Sequence, residues 1–584
     1  MMKRTLSPAA LLAAGICILV SADASAEPSF ALKLEGLKGE LLQNAEAQIG
    51  VLNTDAITVQ GRYRARIRQA VREALRAYGY YQPKLKFKWE PKPAKGPRTL
   101  HLTVDPGEVV KLKSVDVVLE GEAKSDRAFE RLLKNLPKPG DPLRHADYDA
   151  FKSDVQNIAM RRGYFEGDWR VHELAVAPDL GIGFWRLTYD SGRRWRFGDV
   201  RWEGSQIDER YLDNIVPFKE GEPFAAWKVS KLNDRLSQTG WFNSVVVAPD
   251  WKNASKEEKI VPMSGAVSPR TGNSVEVGMG YSTDVGPRFK GKWEKPWINS
   301  SGHSLSSSTS LSSGEQTLDG AYKIPVEENP IQEYWLLQGG FKHTDLNDTK
   351  STSATVGLMR YWEMETGWQR SLGLRWGLDN FTQGEDDYTT MLIYPGATLS
   401  RTRSRGGMMP RWGDSQRYTL DVSNSAWGSD VDFIAFSAQG AIIRTFALKH
   451  RFLLRGQFGW LETNDFSQVP PDLRFFAGGD RSVRGYGYKK ISPKDDSGDL
   501  IGAERLLTAS IEYQYNVTGK WWGAVFVDTG EAVPKFTGTS FKTGVGFGIR
   551  WESPIGPVKL DIAKPVGDPD ENGIEFYIGL GPEL

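Results

Sequence analysis

The chain has 584 residues, and its 74 lysines and arginines nearly balance its 73 aspartates and glutamates. This balance excludes the global positive field that favours nucleic-acid binding. The single cysteine, Cys17, excludes a disulfide framework.

The first 26 residues have the pattern of a secretory signal peptide. Lys3 and Arg4 form a basic start, residues 9–20 are an apolar run too short to span a bilayer, and Ala24-Ser25-Ala26 fits a cleavage site. No later apolar run has the length of a transmembrane helix. The chain also has 61 glycines, 20 tryptophans, 20 tyrosines and 26 phenylalanines. An exported chain of this composition indicates a transmembrane β-barrel; a large secreted β-sandwich is the alternative.

Three similar stretches follow at a period of about 80 residues. Each opens with a short strand-like run closed by Glu-Gly and later contains a glycine followed by two aromatic residues, which predicts a left-handed helix cap leading into a strand. These elements are Glu35-Gly36, Glu120-Gly121 and Glu203-Gly204, then Gly79-Tyr80-Tyr81, Gly163-Tyr164-Phe165 and Gly240-Trp241-Phe242. Each repeat is predicted to run strand, helix, helix, strand, strand. We place the repeats at residues 27–105, 106–189 and 190–264.

Residues 265–584 change to a period of two. In the first predicted strand, apolar side chains alternate with glycine or glutamate. These apolar residues are Val275, Val277, Met279 and Tyr281. Such alternation places one face of a strand in lipid and the other in a polar lumen. At about 20 residues per strand with its connection, this region provides sixteen antiparallel strands.

One short motif, Val483-Arg484-Gly485-Tyr486, lies in a stretch rich in glycine and aromatic residues. A guanidinium in that setting suits a tightly packed loop that fixes one cation, and a buried cation needs a carboxylate partner. A solvent-exposed basic turn is the alternative. Strand alternation also directs two acids of the later predicted strands into the lumen, Glu512 and Asp528.

Three repeats, a barrel and this motif together resemble the outer-membrane assembly factors built from POTRA domains and a barrel. Within that family the chain looks most like the TamA type, the outer-membrane subunit of the translocation and assembly module. The resemblance covers essentially the whole mature chain. It implies three α+β POTRA domains of order β-α-α-β-β, followed by a 16-stranded antiparallel transmembrane β-barrel. The barrel would lie in the outer membrane of a Gram-negative bacterium, with the POTRA arm in the periplasm.

The resemblance also assigns roles to the motif and to the two acids. It implies that Arg484 reaches from its loop into the lumen and pairs with acids on the wall strands, at positions that Glu512 and Asp528 match. The pairing would lock the loop inside and brace the wall. For each acid, the alternative is an ordinary solvated lumen charge.

The barrel must close between its first strand and the end of the chain. The apolar residues of that end are Phe576, Ile578 and Leu580, and Gly581 and Pro582 follow them. Because Pro582 cannot donate a ladder hydrogen bond, we expect a short, weakly paired seam. The ending Gly-Leu-Gly-Pro-Glu-Leu also resembles the TamA type. A tail that merely packs away is the alternative.

No pattern of catalytic or metal-binding residues stands out, since none of the six histidines pairs with another at metal-ligand spacing. We therefore expect neither enzymatic activity nor a cofactor. The resemblance implies an insertase for outer-membrane barrels such as autotransporters. Its partners would be unfolded clients, outer-membrane lipids and a periplasm-spanning, TamB-like inner-membrane subunit, with no nucleic acid. A two-partner secretion pore and a lipid-handling barrel are the alternatives.

Overall fold

The computed structural model describes residues 30–52, 60–91, 98–282, 286–536, 541–554 and 556–581. The predicted signal peptide lies outside these ranges. Among the described residues, no helix is both long and apolar enough to cross a bilayer.

The N-terminal part consists of three units with the same order of elements. The first contains β1 (Phe30–Glu35), α1 (Gly39–Gly50), α2 (Gln60–Arg76), β2 (Lys84–Trp89) and β3 (Arg98–Asp105). The second contains β4 (Lys111–Glu120), α3 (Arg127–Leu133), α4 (His145–Arg162), β5 (Asp168–Ala177) and β6 (Ile182–Asp190). The third contains β7 (Arg196–Glu203), α5 (Glu209–Asp213), α6 (Ala226–Gln238), β8 (Phe242–Pro249) and β9 (Ile260–Pro269).

Each unit forms a three-stranded sheet with its last strand in the middle, in the orders β1-β3-β2, β4-β6-β5 and β7-β9-β8. The first strand of each of the first two units pairs parallel to the central strand. The first and second strands of every unit are therefore sheet edges. The prediction of strand, helix, helix, strand, strand is confirmed for all three repeats.

The predicted glycine-aromatic elements follow the second helix of each unit. Gly163 caps α4 in the left-handed conformation with φ 89°, and Tyr164 then turns into the core, where it is 3% exposed. Its hydroxyl donates to Asp126, which also caps α3 by accepting from the Ala128 N–H and binds Arg162 Nε at 2.6 Å. The cap, the aromatic residue and the two helices are thus joined through one carboxylate.

The C-terminal part is one sheet of sixteen antiparallel strands, β10 to β25, each paired with its neighbour in the chain. Their bounds are β10 Ser274–Ser282, β11 Gly286–Lys295, β12 Ser304–Leu311, β13 Glu315–Pro325, β14 Glu333–Leu346, β15 Thr349–Glu363, β16 Gln369–Gln383, β17 Asp386–Arg405, β18 Trp412–Ser423, β19 Phe433–Phe446, β20 His450–Thr463, β21 Arg505–Thr518, β22 Trp521–Val533, β23 Lys542–Ser553, β24 Gly556–Val566 and β25 Glu575–Leu580. The predicted 16-stranded barrel is confirmed.

The boundary between the third repeat and the barrel differs from the predicted residue 264. Strand β9 continues to Pro269, and Val267 pairs with Val245 of β8 while remaining largely buried. Residues 270–273, which include Gly272 and Asn273, separate β9 from β10. The turn signal in the sequence therefore lies a few residues after the predicted boundary.

The third repeat contacts barrel turns at one end of the barrel. The Trp241 indole N–H donates to the Gly302 carbonyl at 2.9 Å, and the Asn214 amide donates to the Glu327 carbonyl at 2.8 Å. Lys231 also lies 3.6 Å from Glu365 in the turn between β15 and β16. These contacts identify which end of the barrel carries the arm.

Candidate functional site: an ion cluster beneath a lumen loop

The segment between β20 and β21, residues 464–504, folds back on itself inside the barrel. Backbone hydrogen bonds join Ala477 to Ile491 and Phe475 to Ala503. At the tip, the Gly479 N–H donates to the Tyr486 carbonyl. The chain therefore reverses between Gly479 and Tyr486, the last residue of the predicted motif. Val483 and Tyr486 are buried among apolar neighbours, and the side chain of Arg484 points at the wall.

Arg484 makes its ion pairs with both predicted acids. Its Nε and Nη2 donate to the two oxygens of Asp528 at 2.7 and 3.0 Å, and its Nη1 donates to Glu512 at 2.7 Å. Its own backbone N–H also donates to Asp528, at 3.1 Å. The guanidinium lies over the Phe526 ring, 3.3 Å from the centroid. A bidentate pair with a stacked face fixes the orientation of an arginine in a way that a lysine cannot reproduce.

Two further charged residues complete the cluster, and the sequence reasoning missed both. Arg550 of β23 donates to Glu512 at 2.7 Å and to Asp561 of β24 at 3.0 Å. Asp561 in turn accepts from Arg484 at 3.1 Å. The same alternation that selected Glu512 places Arg550 and Asp561 inward, so the signal was present in the sequence.

The cluster is removed from solvent, since each of its five side chains is at most 2% exposed. Two guanidinium groups face three carboxylates, which leaves one formal negative charge. The neutral Gln514 amide stabilises the Glu512 carboxylate by donating a hydrogen bond to it at 2.6 Å. Buried charges are tolerated when their hydrogen-bonding capacity is met in this way.

Glycines on β23 make the close approach of the loop possible. A Cβ at Gly544 would lie 1.7 Å from the Arg484 carbonyl oxygen, and a Cβ at Gly548 would lie 1.8 Å from an Asp561 oxygen. The glycine-rich run of this strand therefore leaves room for the loop and for the ion cluster.

The loop is also fastened to the last strand. The Tyr577 hydroxyl of β25 donates to the Tyr486 carbonyl at 2.8 Å and accepts from the Gly485 N–H at 2.9 Å. The Tyr486 hydroxyl donates to Asp568, which also binds Lys542. The motif thus touches five consecutive strands or their connections, from β21 to β25.

The predicted seam residues line the outer face of the first and last strands. Val275, Val277, Met279 and Tyr281 are exposed along β10, and Phe576, Ile578 and Leu580 are exposed along β25. Strand β25 has six residues, all paired with β24. The two strands approach each other, yet they stand at opposite ends of the sheet, and no ladder joins them among the residues that the structure describes. Gly581 donates back to Pro557, and Pro582 lies outside the described residues.

A cavity of about 750 Å³ opens on the inner side of this seam. Gly278 and Gly280 of β10 and Gly579 of β25 form its wall, and the loop forms its floor with residues such as Asp480 and Ser482. Within the described ranges, no group of histidines and carboxylates has the arrangement of a metal site.

Comparisons with known proteins decide the family. The model of the Omp85 superfamily domain matches residues 270–583, which is more than half of the chain. The chain belongs to the Omp85 superfamily. Models of POTRA domains match two of the repeats: residues 31–106 match TamA POTRA domain 1, and residues 195–263 match a POTRA model described as a surface antigen variable number repeat.

Relatives of this Omp85 chain include assembly factors. The outer membrane protein assembly factor BamA of Nitratidesulfovibrio vulgaris is 24% identical over 408 residues, covering 65% of this chain and 50% of that protein. The chain thus spans about half the length of this curated relative. The crystal structure of BamA from Haemophilus ducreyi lacking POTRA domains 1–3 has a TM-score of 0.68 at 17% identity, covering 81% of this chain and 99% of that structure. The protein is accordingly an outer-membrane β-barrel with a periplasmic POTRA arm.

Proposed function

We propose that this Omp85 protein inserts other β-barrel proteins, autotransporters among them, into the outer membrane by offering the edge of β10 as a folding template. The observation that carries the proposal is the seam, where β10 and β25 approach without a ladder in the described residues. Every other neighbouring pair in the sheet is joined by a ladder, with one register shift in the β21–β22 pair between Asn516 and Thr518. An unpaired strand edge presents free N–H and C=O groups to an incoming strand.

The ion cluster supports this proposal by holding one side of the seam. The loop motif binds strands β21 to β25 through Arg484 and Tyr577, whereas β10 has β11 as its ladder partner. One side of the seam is therefore braced and the other side is free to move outward. A client strand that pairs with β10 would bring further strands behind it into the bilayer, without a nucleotide or another cofactor.

We assign the chain to the TamA type within the superfamily. The match of residues 31–106 to a TamA POTRA domain and the three repeats support this assignment. The exposed sheet edges of the POTRA domains, β1 and β2 in the first of them, suit docking of a periplasm-spanning, TamB-like subunit by strand addition. A passive spacer is the alternative, and three domains are more than a spacer needs.

Disulfide mapping tests the template directly. The only cysteine, Cys17, lies in the predicted signal peptide, so single cysteines can be introduced at Glu276, Gly278 and Gly280 and along the terminal strand of a client. A cross-linked ladder that keeps one register during client assembly is expected. A cysteine at Gly357, inside the fully paired strand β15, is the matched control and should give no ladder.

The same experiment separates the alternatives. Client cross-links confined to lumen positions, with none on β10, would overturn the template and indicate a secretion pore. Transfer of lipid between vesicles by protein that neither cross-links to nor folds any client would indicate a lipid-handling barrel.

A further inference from the structure

A second charged site lies on the outside of the barrel, on strands β16 to β19. Arg401, Arg403 and Arg405 occupy alternate positions at the end of β17, directly after outward-facing Leu399. Because side chains alternate along a strand, these arginines share the lipid-facing side with Leu399. Arg444 of β19 joins them, since its strand partner is Trp412.

These four arginines form one contiguous group, which we call the arginine band. Arg401, Arg403 and Arg444 all lie within 4.0 Å of the single carboxylate of Asp414, at 3.7, 2.8 and 4.0 Å. Arg403, Arg405 and Arg444 also surround the Trp412 ring at 4.7 to 5.3 Å. Stacking on an aromatic face holds a guanidinium in place and leaves its N–H edge available.

The positive charge of the band is far from neutralised. Asp414 is 3% exposed and faces three guanidinium groups. In the part of the chain that the structure describes, Arg405 has no carboxylate within 4.0 Å, and Arg370 on the neighbouring strand β16 donates to the Met364 sulfur and to no carboxylate. The four arginines of the band and Arg370 thus stand against Asp414, while Glu363 is a second carboxylate at the edge of the neighbouring groove.

An apolar groove of about 690 Å³ lies directly beside the band. Its walls are outward-facing residues of the lipid belt, among them Leu372, Leu399, Leu420 and Phe436, and Arg370 stands at its edge. Glu333, on the far wall, is neutralised by Arg360 at 2.5 Å. The site therefore combines a groove lined by apolar side chains with a cluster of guanidinium groups beside it.

The position of the arginine band along the barrel indicates which leaflet of the outer membrane it contacts. Arg370 and the end of β17 lie at the end of the barrel where the turn between β15 and β16 contacts Lys231 of the third POTRA domain. That end faces the periplasm. Arginine and tryptophan just outside an apolar belt lie at the depth of lipid headgroups, where guanidinium groups bind phosphate.

We propose that this groove and the arginine band bind an anionic phospholipid of the periplasmic leaflet, with its phosphate on Arg403 and Arg405 and an acyl chain along Leu399 and Leu420. Lipopolysaccharide is the other phosphate-bearing lipid of this membrane, but it occupies the opposite leaflet. The site does not depend on the strand template at the seam, which lies on β10 and β25.

Native mass spectrometry of the full chain, released from nanodiscs of phosphatidylglycerol or of phosphatidylcholine, tests the site. At about 1 kcal/mol for each arginine near a headgroup, the variant Arg403→Gln/Arg405→Gln should retain phosphatidylglycerol about 30-fold less tightly. Retention of phosphatidylcholine should not change. Arg403→Lys/Arg405→Lys should recover part of the loss, because lysine keeps the charge but not the bidentate geometry.

The matched control removes two exposed charges away from this face, in the variant Lys252→Gln/Lys256→Gln of the third POTRA domain. It should retain phosphatidylglycerol as the wild type does, and unchanged heat-modified migration on gels should show that every variant is folded. Equal retention in the arginine variant, or an equal loss in the lysine control, would overturn the site. Binding of a polyglutamate peptide that disappears in the arginine variant, while lipid retention stays, would overturn the lipid and favour an acidic protein partner.

Discussion

Replacing Arg484 by methionine tests whether the ion cluster holds the loop in place. The variant Arg484→Met removes the donors at 2.7 and 3.0 Å from Asp528, the donor to Glu512 and the donor to Asp561. Among the described residues, Asp528 then keeps one hydrogen-bond donor, the N–H of residue 484, at 3.1 Å. Arg550, which binds Glu512 and Asp561, would be the one guanidinium left in the five-residue cluster. The formal charge of the cluster would change from −1 to −2.

The expected loss follows from the burial. Removing one partner of a buried ion pair costs about 3–5 kcal/mol, largely because the other charge is left uncompensated. Neutralising that charge should therefore restore stability. Asp528→Asn in the Arg484→Met background is expected to recover at least about 1 kcal/mol, although each change alone is destabilising. If Asp528→Asn restores stability in the Arg484→Met background, the first loss came from an uncompensated charge. If the first loss came from packing alone, the second substitution should not restore stability.

Guanidinium-induced unfolding in detergent, followed by tryptophan fluorescence, measures these differences as changes in the free energy of unfolding. Arg417→Met, at an exposed arginine of β18, is the control and should change it by less than about 0.5 kcal/mol. If Arg484→Met unfolds like the wild type, or if Asp528→Asn deepens the loss in that background, the reasoning is wrong.

Two further predictions concern packing and protonation. Gly544→Ala should loosen the loop and cost about 1–3 kcal/mol, because its methyl group would lie 1.7 Å from the Arg484 carbonyl oxygen. Gly523→Ala, whose methyl would meet nothing nearer than 3.8 Å, should cost less in the same unfolding assay. In the second POTRA domain, burial raises the pKa of Asp126, but the Ala128 N–H and Arg162 outweigh it and hold that pKa below its usual value. This carboxylate therefore contributes stability above about pH 3.9 and loses that contribution as the pH falls through the folded pKa. Circular dichroism melting should show Asp126→Asn less stable than the wild type at pH 7, with the difference shrinking at pH 3; a constant difference would contradict this.

Much of the architecture followed from local patterns. The repeated Glu-Gly and glycine-aromatic elements indicate the order of elements in each POTRA domain, because a left-handed glycine that follows a helical pattern, such as Gly163, caps the helix. Alternation identified the barrel and two of the three acids that contact Arg484, Glu512 and Asp528. Repeats and alternation are properties of neighbouring residues, so a single sequence displays them.

The remaining members of the site depend on register across strands. Arg550 and Asp561 were identifiable as inward residues, but only the pairing of Gly548 with Asp561 and of Asp528 with Gly544 brings them under the loop. A sequence does not state how far one strand is shifted along the next. The arginine band went unnoticed for a related reason: Arg401, Arg403 and Arg405 resemble a solvated strand end until Arg444 and Trp412 are placed beside them.

The buried loop also constrains how this protein itself reaches its folded state. Residues 464–504 connect two adjacent strands, yet their tip is enclosed by β21 to β25 through Arg484 and Tyr577. Entry of the loop into a finished cylinder would require the Arg484 guanidinium to lose its water before its carboxylate partners replace it, which is costly. We therefore expect the C-terminal strands to assemble around the loop tip before the cylinder closes. The seam, which has no ladder among the described residues, is the junction that we expect to close last.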